Sequence, residues 1–238
     1  MRTLLAILLA AIAALAPRAQ TVSAHHGERL RAFAAEPPIA RSEVVMLGNS
    51  LTEFGGDWQR RLGEDAPPMR NRGIAGDDAR LITRRLSEVT AAEPLAILLE
   101  CGVNDISHGI TAREAARGVC RLIDRIRREA PRTTLVVQSM TPINESTRRW
   151  RRLDGRSADI RRANDIIRRH CQANGIAYVD LYGAMDEQRT GVLPMRLTTD
   201  GLHLSEAGYD IWAREIAPVV AGIAEQQGQE TTEQQEKK

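Results

Sequence analysis

The chemistry available to this chain starts from a serine. Ser50, in Gly48-Asn49-Ser50-Leu51-Thr52, directly follows the apolar run Val44-Val45-Met46-Leu47, so its hydroxyl sits where a buried strand leaves a sheet. A serine hydroxyl is a poor nucleophile at neutral pH and needs a base within hydrogen-bond reach, itself held by a third group. Far downstream, Asp200-Gly201-Leu202-His203 sets a carboxylate three residues before an imidazole. A carbonyl under attack also needs donors for its developing negative charge, each worth ~3 kcal/mol in the transition state. The N–H of Ser50 at a helix start, the N–H of Gly73 and the side-chain amide of Asn104 are candidates. Together these residues describe an acyl-transfer site.

Four other histidines compete for the role of base. His25 and His26 stand near the start of the chain and are expected to be solvated, and two adjacent histidines without a third ligand do not make a metal site. His170 comes late in an arginine-rich helical stretch, where the helix dipole accounts for it. His108 is the serious rival, because Asp105 also stands three residues before it. Spacing does not separate His108 from His203.

The elements that must position these residues alternate. Strands are expected at 44–47, 69–71, 95–99, 135–137 and 176–179, from short apolar runs between turn residues. Thr111 and Glu114 form a capping-box pair that opens a helix with Ala115, Ala116, Val119, Leu122, Ile123 and Ile126 on one face. A second helix spans about 159–173, with Gly175 beyond its end, and a last one about 205–216. This alternation predicts an α/β fold, a mainly parallel five-stranded sheet with helices on both faces, whose ligands bind at the carboxyl ends of the strands.

Length and composition bound the rest. A chain of 238 residues supports one sizeable domain, placed here at 42–224. Residues 1–24 carry Arg2, an apolar stretch from Leu4 to Ala16 and Val22-Ser23-Ala24, the pattern of a cleavable secretory signal, with Ala19 as a second cleavage candidate. The apolar stretch is short for a permanent span, which needs ~20 apolar residues, so a secreted or periplasmic protein without a stable membrane span is expected. Residues 25–41, with Pro37-Pro38 and little periodicity, read as an exposed lead-in, and 225–238 as a disordered tail. There are 33 Lys and Arg against 31 Asp and Glu, a balance that gives no electrostatic reason to expect nucleic acid as a partner. Cys101, Cys120 and Cys171 lack the short spacings of zinc or redox sites, and a disulfide framework is not expected.

The blocks Gly-Asn-Ser-Leu-Thr at Ser50, Asn71-Arg72-Gly73-Ile74, Gly102-Val103-Asn104-Asp105 and Asp200-Gly201-Leu202-His203 resemble, in this order, the four signature blocks of the SGNH (GDSL-type) esterases over about residues 42–220. The resemblance implies a three-layer flavodoxin-like sandwich, no cofactor and no metal. It also implies hydrolysis through an acyl-serine intermediate, with Ser50, His203 and Asp200 as catalytic residues and Ser50, Gly73 and Asn104 as the oxyanion hole. Block order is what favours His203 over His108. Asn49 departs from the aspartate most common in the family at that place, which removes a negative charge beside the nucleophile. Gly-Asn-Ser-Leu-Thr-Glu and the stretch 197–203 are most similar to the secreted bacterial sialate O-acetylesterase and platelet-activating-factor acetylhydrolase-like branch, which points to a small acylated substrate, an acetylated sugar. The alternatives are a lysophospholipase or thioesterase of the same fold, and a glycan-binding module without turnover. Arginines crowd the stretch from Arg148 to Arg169, as a solvated surface or as a means of pairing with a substrate carboxylate. Trp58 and Trp150 are candidates for a sugar subsite, Trp212 is expected to pack under the last helix, and Thr141-Pro142-Ile143 is a candidate cleft wall.

Overall fold

A computed structural model describes residues 23–236. Five parallel strands, β1 (Val44–Gly48), β2 (Met69–Gly73), β3 (Ala96–Glu100), β4 (Thr134–Gln138) and β5 (Ala177–Val179), form one sheet in the order β2-β1-β3-β4-β5. This is the flavodoxin-like order, in which the chain reverses direction of travel across the sheet beside β1. Every residue of β1 and β3 is buried, as expected of central strands covered on both faces.

Strand periodicity of two sorts the apolar side chains into two layers. Val45, Leu47, Ile97, Leu99 and Val137 face one layer with helices 112–129 and 157–173, whereas Val44, Met46, Leu98 and Val136 face the other with Trp58, Tyr209 and Trp212. The helices, in chain order, are α1 (Ala24–Ala35), α2 (Ser50–Phe54), α3 (Trp58–Leu62), α4 (Ala79–Arg85), α5 (Ser87–Thr90), α6 (Val103–Ser107), α7 (Ala112–Glu129), α8 (Ser157–Ala173), α9 (Leu181–Met185) and α10 (Glu206–Glu236). The capping box at α7 is formed in both directions by Thr111 and Glu114.

Two expectations are corrected. The segment 25–41 is largely exposed but is not an irregular lead-in: residues 24–35 form α1, capped by the Ser23 hydroxyl on the N–H of His26, with His26 and Phe33 buried. Its only apolar anchor of size is Phe33, with Arg29 and Arg72 over its ring at 4.7 and 4.3 Å. The segment after Glu225 is not disordered either, because α10 continues to Glu236 through a run of Gln, Glu and Thr in which Gln and Glu favour helix. The expected signal segment lies outside the described residues except for Ser23 and Ala24. No helix among the described residues is long and apolar enough to cross a membrane. The three cysteines are free thiols, with Cys101 and Cys171 buried.

Candidate active site

The turn that carries Ser50 is built by tight packing at the end of β1. A Cβ on Gly48 would lie 2.1 Å from Thr52 Oγ1 and 2.6 Å from the Glu100 carbonyl, so only glycine fits. Asn49 then caps α2, its Oδ1 accepting the Leu51 N–H at 2.8 Å. Ser50 is therefore the first helical residue, and its own N–H has no acceptor among the described residues.

His203 reaches this serine from the far end of the chain. Its Nε2 lies 3.0 Å from Ser50 Oγ and its Nδ1 2.8 Å from Asp200 Oδ2. With the proton on Nδ1, the ring donates to Asp200 and accepts the Ser50 hydroxyl, the tautomer a general base requires. The three-residue spacing works because the loop folds on itself. Asp200 Oδ1 accepts the N–H groups of Leu202 and His203 at 3.0 and 2.8 Å, and Thr198 Oγ1 donates to the His203 carbonyl at 2.7 Å. Partial burial opposes charge on Asp200, but the bonds from the His203 ring and those two amides outweigh it and hold its carboxyl below the usual carboxylate range. The loop is braced from the segment that follows β4, since Thr147 Oγ1 donates to the Asp200 carbonyl at 2.9 Å and a Cβ on Gly201 would strike Thr147 and Asn144.

The structure ties Asn104 to the turn after β2 and gives Gly73 a task other than the one expected. Asn104 Nδ2 donates to the Asp77 carbonyl at 2.9 Å, which fixes the amide and leaves its second hydrogen available. The Gly73 N–H, by contrast, is engaged by Asn71 Oδ1 at 2.9 Å, while Asn71 Nδ2 donates to the carbonyls of Thr52, Glu53 and Gly56. A Cβ on Gly73 would lie 2.2 Å from the Glu53 nitrogen, so this glycine lets β2 pack under α2 and is not an oxyanion donor. Three residues on, Gly76 has φ +88°, open space beyond its α-carbon and an N–H without an acceptor among the described residues. Sequence reasoning missed it. The available signal was Gly76-Asp77-Asp78, a glycine just before the Asp78 cap of α4.

The rival base lies elsewhere. His108 faces Asp78 at 3.7 Å, and Asp105 accepts the Ala79 N–H instead of orienting an imidazole. His170 pairs with Asp124 at 2.8 Å, so a carboxylate partner adds to the dipole argument. His26 is not solvated but buried beside Asp77, at 3.2 Å, and His25 meets Glu53 at 2.9 Å.

Two exposed rings flank His203: Phe54 and Trp150 each have centroids 5.0 Å from the imidazole. Trp58 does not line a subsite, being packed against Trp212 and Tyr209 and closed to solvent. Thr141 and Ile143 are buried as well and form no open wall. Among the described residues no group of three or more His, Cys, Asp or Glu side chains is arranged to hold a metal ion.

The sequence pattern of the GDSL-like lipase/acylhydrolase family matches residues 46–211. The GDSL esterase/lipase WDL1 of Oryza sativa subsp. japonica is 23% identical over 209 residues, which is 77% of this chain and 79% of that protein. Platelet-activating factor acetylhydrolase IB subunit alpha1 of Bos taurus is 24% identical over 213 residues, 87% of this chain and 86% of its own. Among solved structures, a putative platelet activating factor from Streptococcus pneumonia superposes with TM-score 0.70 at 24% identity, covering 82% of this chain and 90% of its own. An acetyl xylan esterase does so with TM-score 0.61 at 21% identity, over 75% and 99%.

Proposed function

The chain belongs to the GDSL-like lipase/acylhydrolase family, and from that premise we propose that it is a serine esterase removing short acyl groups, acetyl above all, from the hydroxyls of a sugar. The observation that carries this reading is the continuous chain of contacts from Ser50 through His203 to Asp200. In the proposed reaction Ser50 Oγ attacks the ester carbonyl as its proton passes to His203 Nε2. The tetrahedral oxyanion takes hydrogen bonds from the N–H groups of Ser50 and Gly76 and from Asn104 Nδ2. The C–O bond to the alcohol breaks as the imidazolium returns the proton to the leaving oxygen. Water, deprotonated by the same ring, then releases the acid from the acyl-serine. Asp200 orients the ring and stabilises its positive charge without taking the proton.

Support for a sugar alcohol comes from Trp150, half exposed and edge-on to His203, where an aromatic face can stack on a pyranose. The acetyl xylan esterase among the structural neighbours is in keeping with it. Residues 1–24 fit this reading as an export signal that delivers the enzyme to glycans outside the cytoplasm. The test is acetate release from p-nitrophenyl acetate and a panel of O-acetylated sugars, with p-nitrophenyl esters of longer acids alongside. The expected result is activity that falls steeply beyond butyrate and is at least ~10³-fold lower in Ser50→Ala. A preference for palmitate would move the assignment to a lysophospholipase or thioesterase. Binding of acetylated sugars without release of acetate would make the chain a glycan-binding module.

A further inference from the structure

The turn 73–77 is gripped by a helix that lies outside the matched family region. Asp77 is the centre of the grip. Its Oδ1 lies 3.2 Å from His26 Nε2 on α1, with both side chains almost closed to solvent. Its Oδ2 accepts Arg85 Nε at 2.7 Å, and Arg85 also donates to the carbonyls of Gly48 and Arg72, at the ends of the two strands that meet at the site. Its backbone carbonyl is the acceptor that fixes Asn104 Nδ2. The other end of the turn is held by Arg29, which donates to the Gly73 carbonyl at 3.2 Å and lies 3.3 Å from Glu53 Oε1. Glu53, three residues after Ser50, accepts the Ala75 N–H at 2.6 Å and meets His25 at 2.9 Å.

Both flanks of Gly76 are thus tied to α1, directly or through one carboxylate. Donors to an oxyanion act only when held close to their productive geometry, and that geometry has to be enforced by the groups behind them. A buried carboxylate that loses one of its partners relaxes or protonates. Burial already pushes the Asp77 carboxyl up, with Arg85 and His26 opposing it.

We propose that α1 is a positioning element of the reaction: His26 and Arg29 hold turn 73–77 so that the Gly76 N–H and the Asn104 amide converge on the oxyanion, which makes turnover depend on residues that precede the family's common region. The inference rests on the serine esterase reading above.

The experiment compares the full chain with His26→Ala, His26→Gln, Arg29→Ala and, on the exposed side of α1, Leu30→Ala. It measures kcat and KM on p-nitrophenyl acetate, the inhibition constant of a trifluoromethyl ketone that adds reversibly to the serine, and the melting temperature. His26→Ala and Arg29→Ala are expected to lower kcat at least ~10-fold with KM within ~2-fold, a loss of transition-state binding alone. The ketone should weaken in parallel, because its adduct carries the same oxyanion. His26→Gln should recover most of the loss, since its amide keeps a polar group beside the Asp77 carboxylate, and Leu30→Ala should change nothing. Folded variants with unaltered kcat and ketone binding would overturn the proposal, as would losses that follow melting temperature in all variants, Leu30→Ala included. If His26→Ala does not fold, Arg29→Ala decides by the same criteria. If the parent cleaves no ester and binds no ketone, the esterase reading is what fails. The brace is then read from hydrogen exchange at the Ala75 amide, which Arg29→Ala should accelerate ~10-fold or more if the proposal holds, and an unchanged rate refutes it.

Discussion

Two glycines three positions apart show how a residue's task is set by the partner of its N–H. Gly73 and Gly76 look alike in sequence, one ending β2 and the other in the turn that follows, and the block pattern alone selected the wrong one. Gly73→Ala should be strongly destabilising, because its Cβ would meet the backbone of α2 at 2.2 Å. Gly76→Ala meets nothing within 4 Å and carries only the cost of its φ of +88°, ~1–2 kcal/mol, so it should stay folded and lose turnover. Denaturant melts beside kcat for both variants check this. Ser50 was legible as a strand exit, a local pattern; Asp200 and His203 share their three-residue spacing with Asp105 and His108 and were singled out by the order of the family's blocks. Glu100 was not: it ends an otherwise apolar strand, fully buried and facing the Asn49 amide, and burial pushes its carboxyl up to about 8. Asn49 is compatible with that neighbour where a second carboxylate would repel it. Below about pH 8 the folded chain keeps the Glu100 proton while the unfolded chain loses it above the ordinary value of 4.5. Between these values stability therefore falls as pH rises, by ~1.4 kcal/mol per unit at most. Glu100→Gln should abolish that slope, so its denaturation midpoint relative to the parent should climb from pH 5 to pH 8; a constant difference would refute the buried proton.

The elements read from apolar periodicity were found close to their expected bounds, and those held by charge were not. The stripe of α7 and the runs of β1 and β3 are hydrophobic patterns visible in one dimension. α1 has no such stripe: Ala-His-His-Gly-Glu-Arg-Leu-Arg is anchored by His25, His26 and Arg29 to carboxylates distant in sequence, and nothing in its own composition announces those partners. α10 was cut short for the opposite reason, since polarity was taken for disorder where propensity sustains a helix. On the proposed reading of residues 1–24 as an export signal, the Ser23 cap of α1 distinguishes the two candidate cleavage positions. Cleavage after Ala24 would remove Ser23 and leave the first N–H groups of α1 without their side-chain acceptor, whereas cleavage after Ala19 retains it. A protein beginning at His25 should be less stable than one beginning at Gln20 by ~1 kcal/mol, a drop of ~2–4 °C in melting temperature, as measured by calorimetry on the two forms.

At the scale of the molecule, the parallel sheet followed from the alternation of strand and helix and its flavodoxin-like arrangement from the family resemblance, but the distribution of charge did not follow from a net of +2. Fifteen arginines and seven carboxylates fall within α7, residues 145–156 and α8. α7 and α8 pack against each other on one side of the sheet. Arg148 and Arg151 line an open cavity of about 440 Å³ with Glu145 and Asp154, next in sequence to Trp150 beside His203. A field of one sign near a cleft raises the encounter rate with anions and is screened by salt. Hydrolysis of an acetylated acidic sugar should therefore slow severalfold between about 0.1 M and about 0.5 M sodium chloride, while p-nitrophenyl acetate turnover stays level; equal salt responses would refute steering.

The hydrogen bond from His203 to Ser50 spans 153 residues of chain. No amino-terminal fragment that ends before the 198–204 loop can contain both halves of the reacting pair, and the strands that aim Ser50 are parallel, each paired across a crossover. Long-range closures of this kind come late in folding. On the proposed serine mechanism the nascent chain is inert throughout synthesis, acquiring the power to cut esters only when its carboxyl-terminal part has docked. Recovery of activity after dilution from denaturant should therefore time the final step of assembly, behind the earlier return of helical signal.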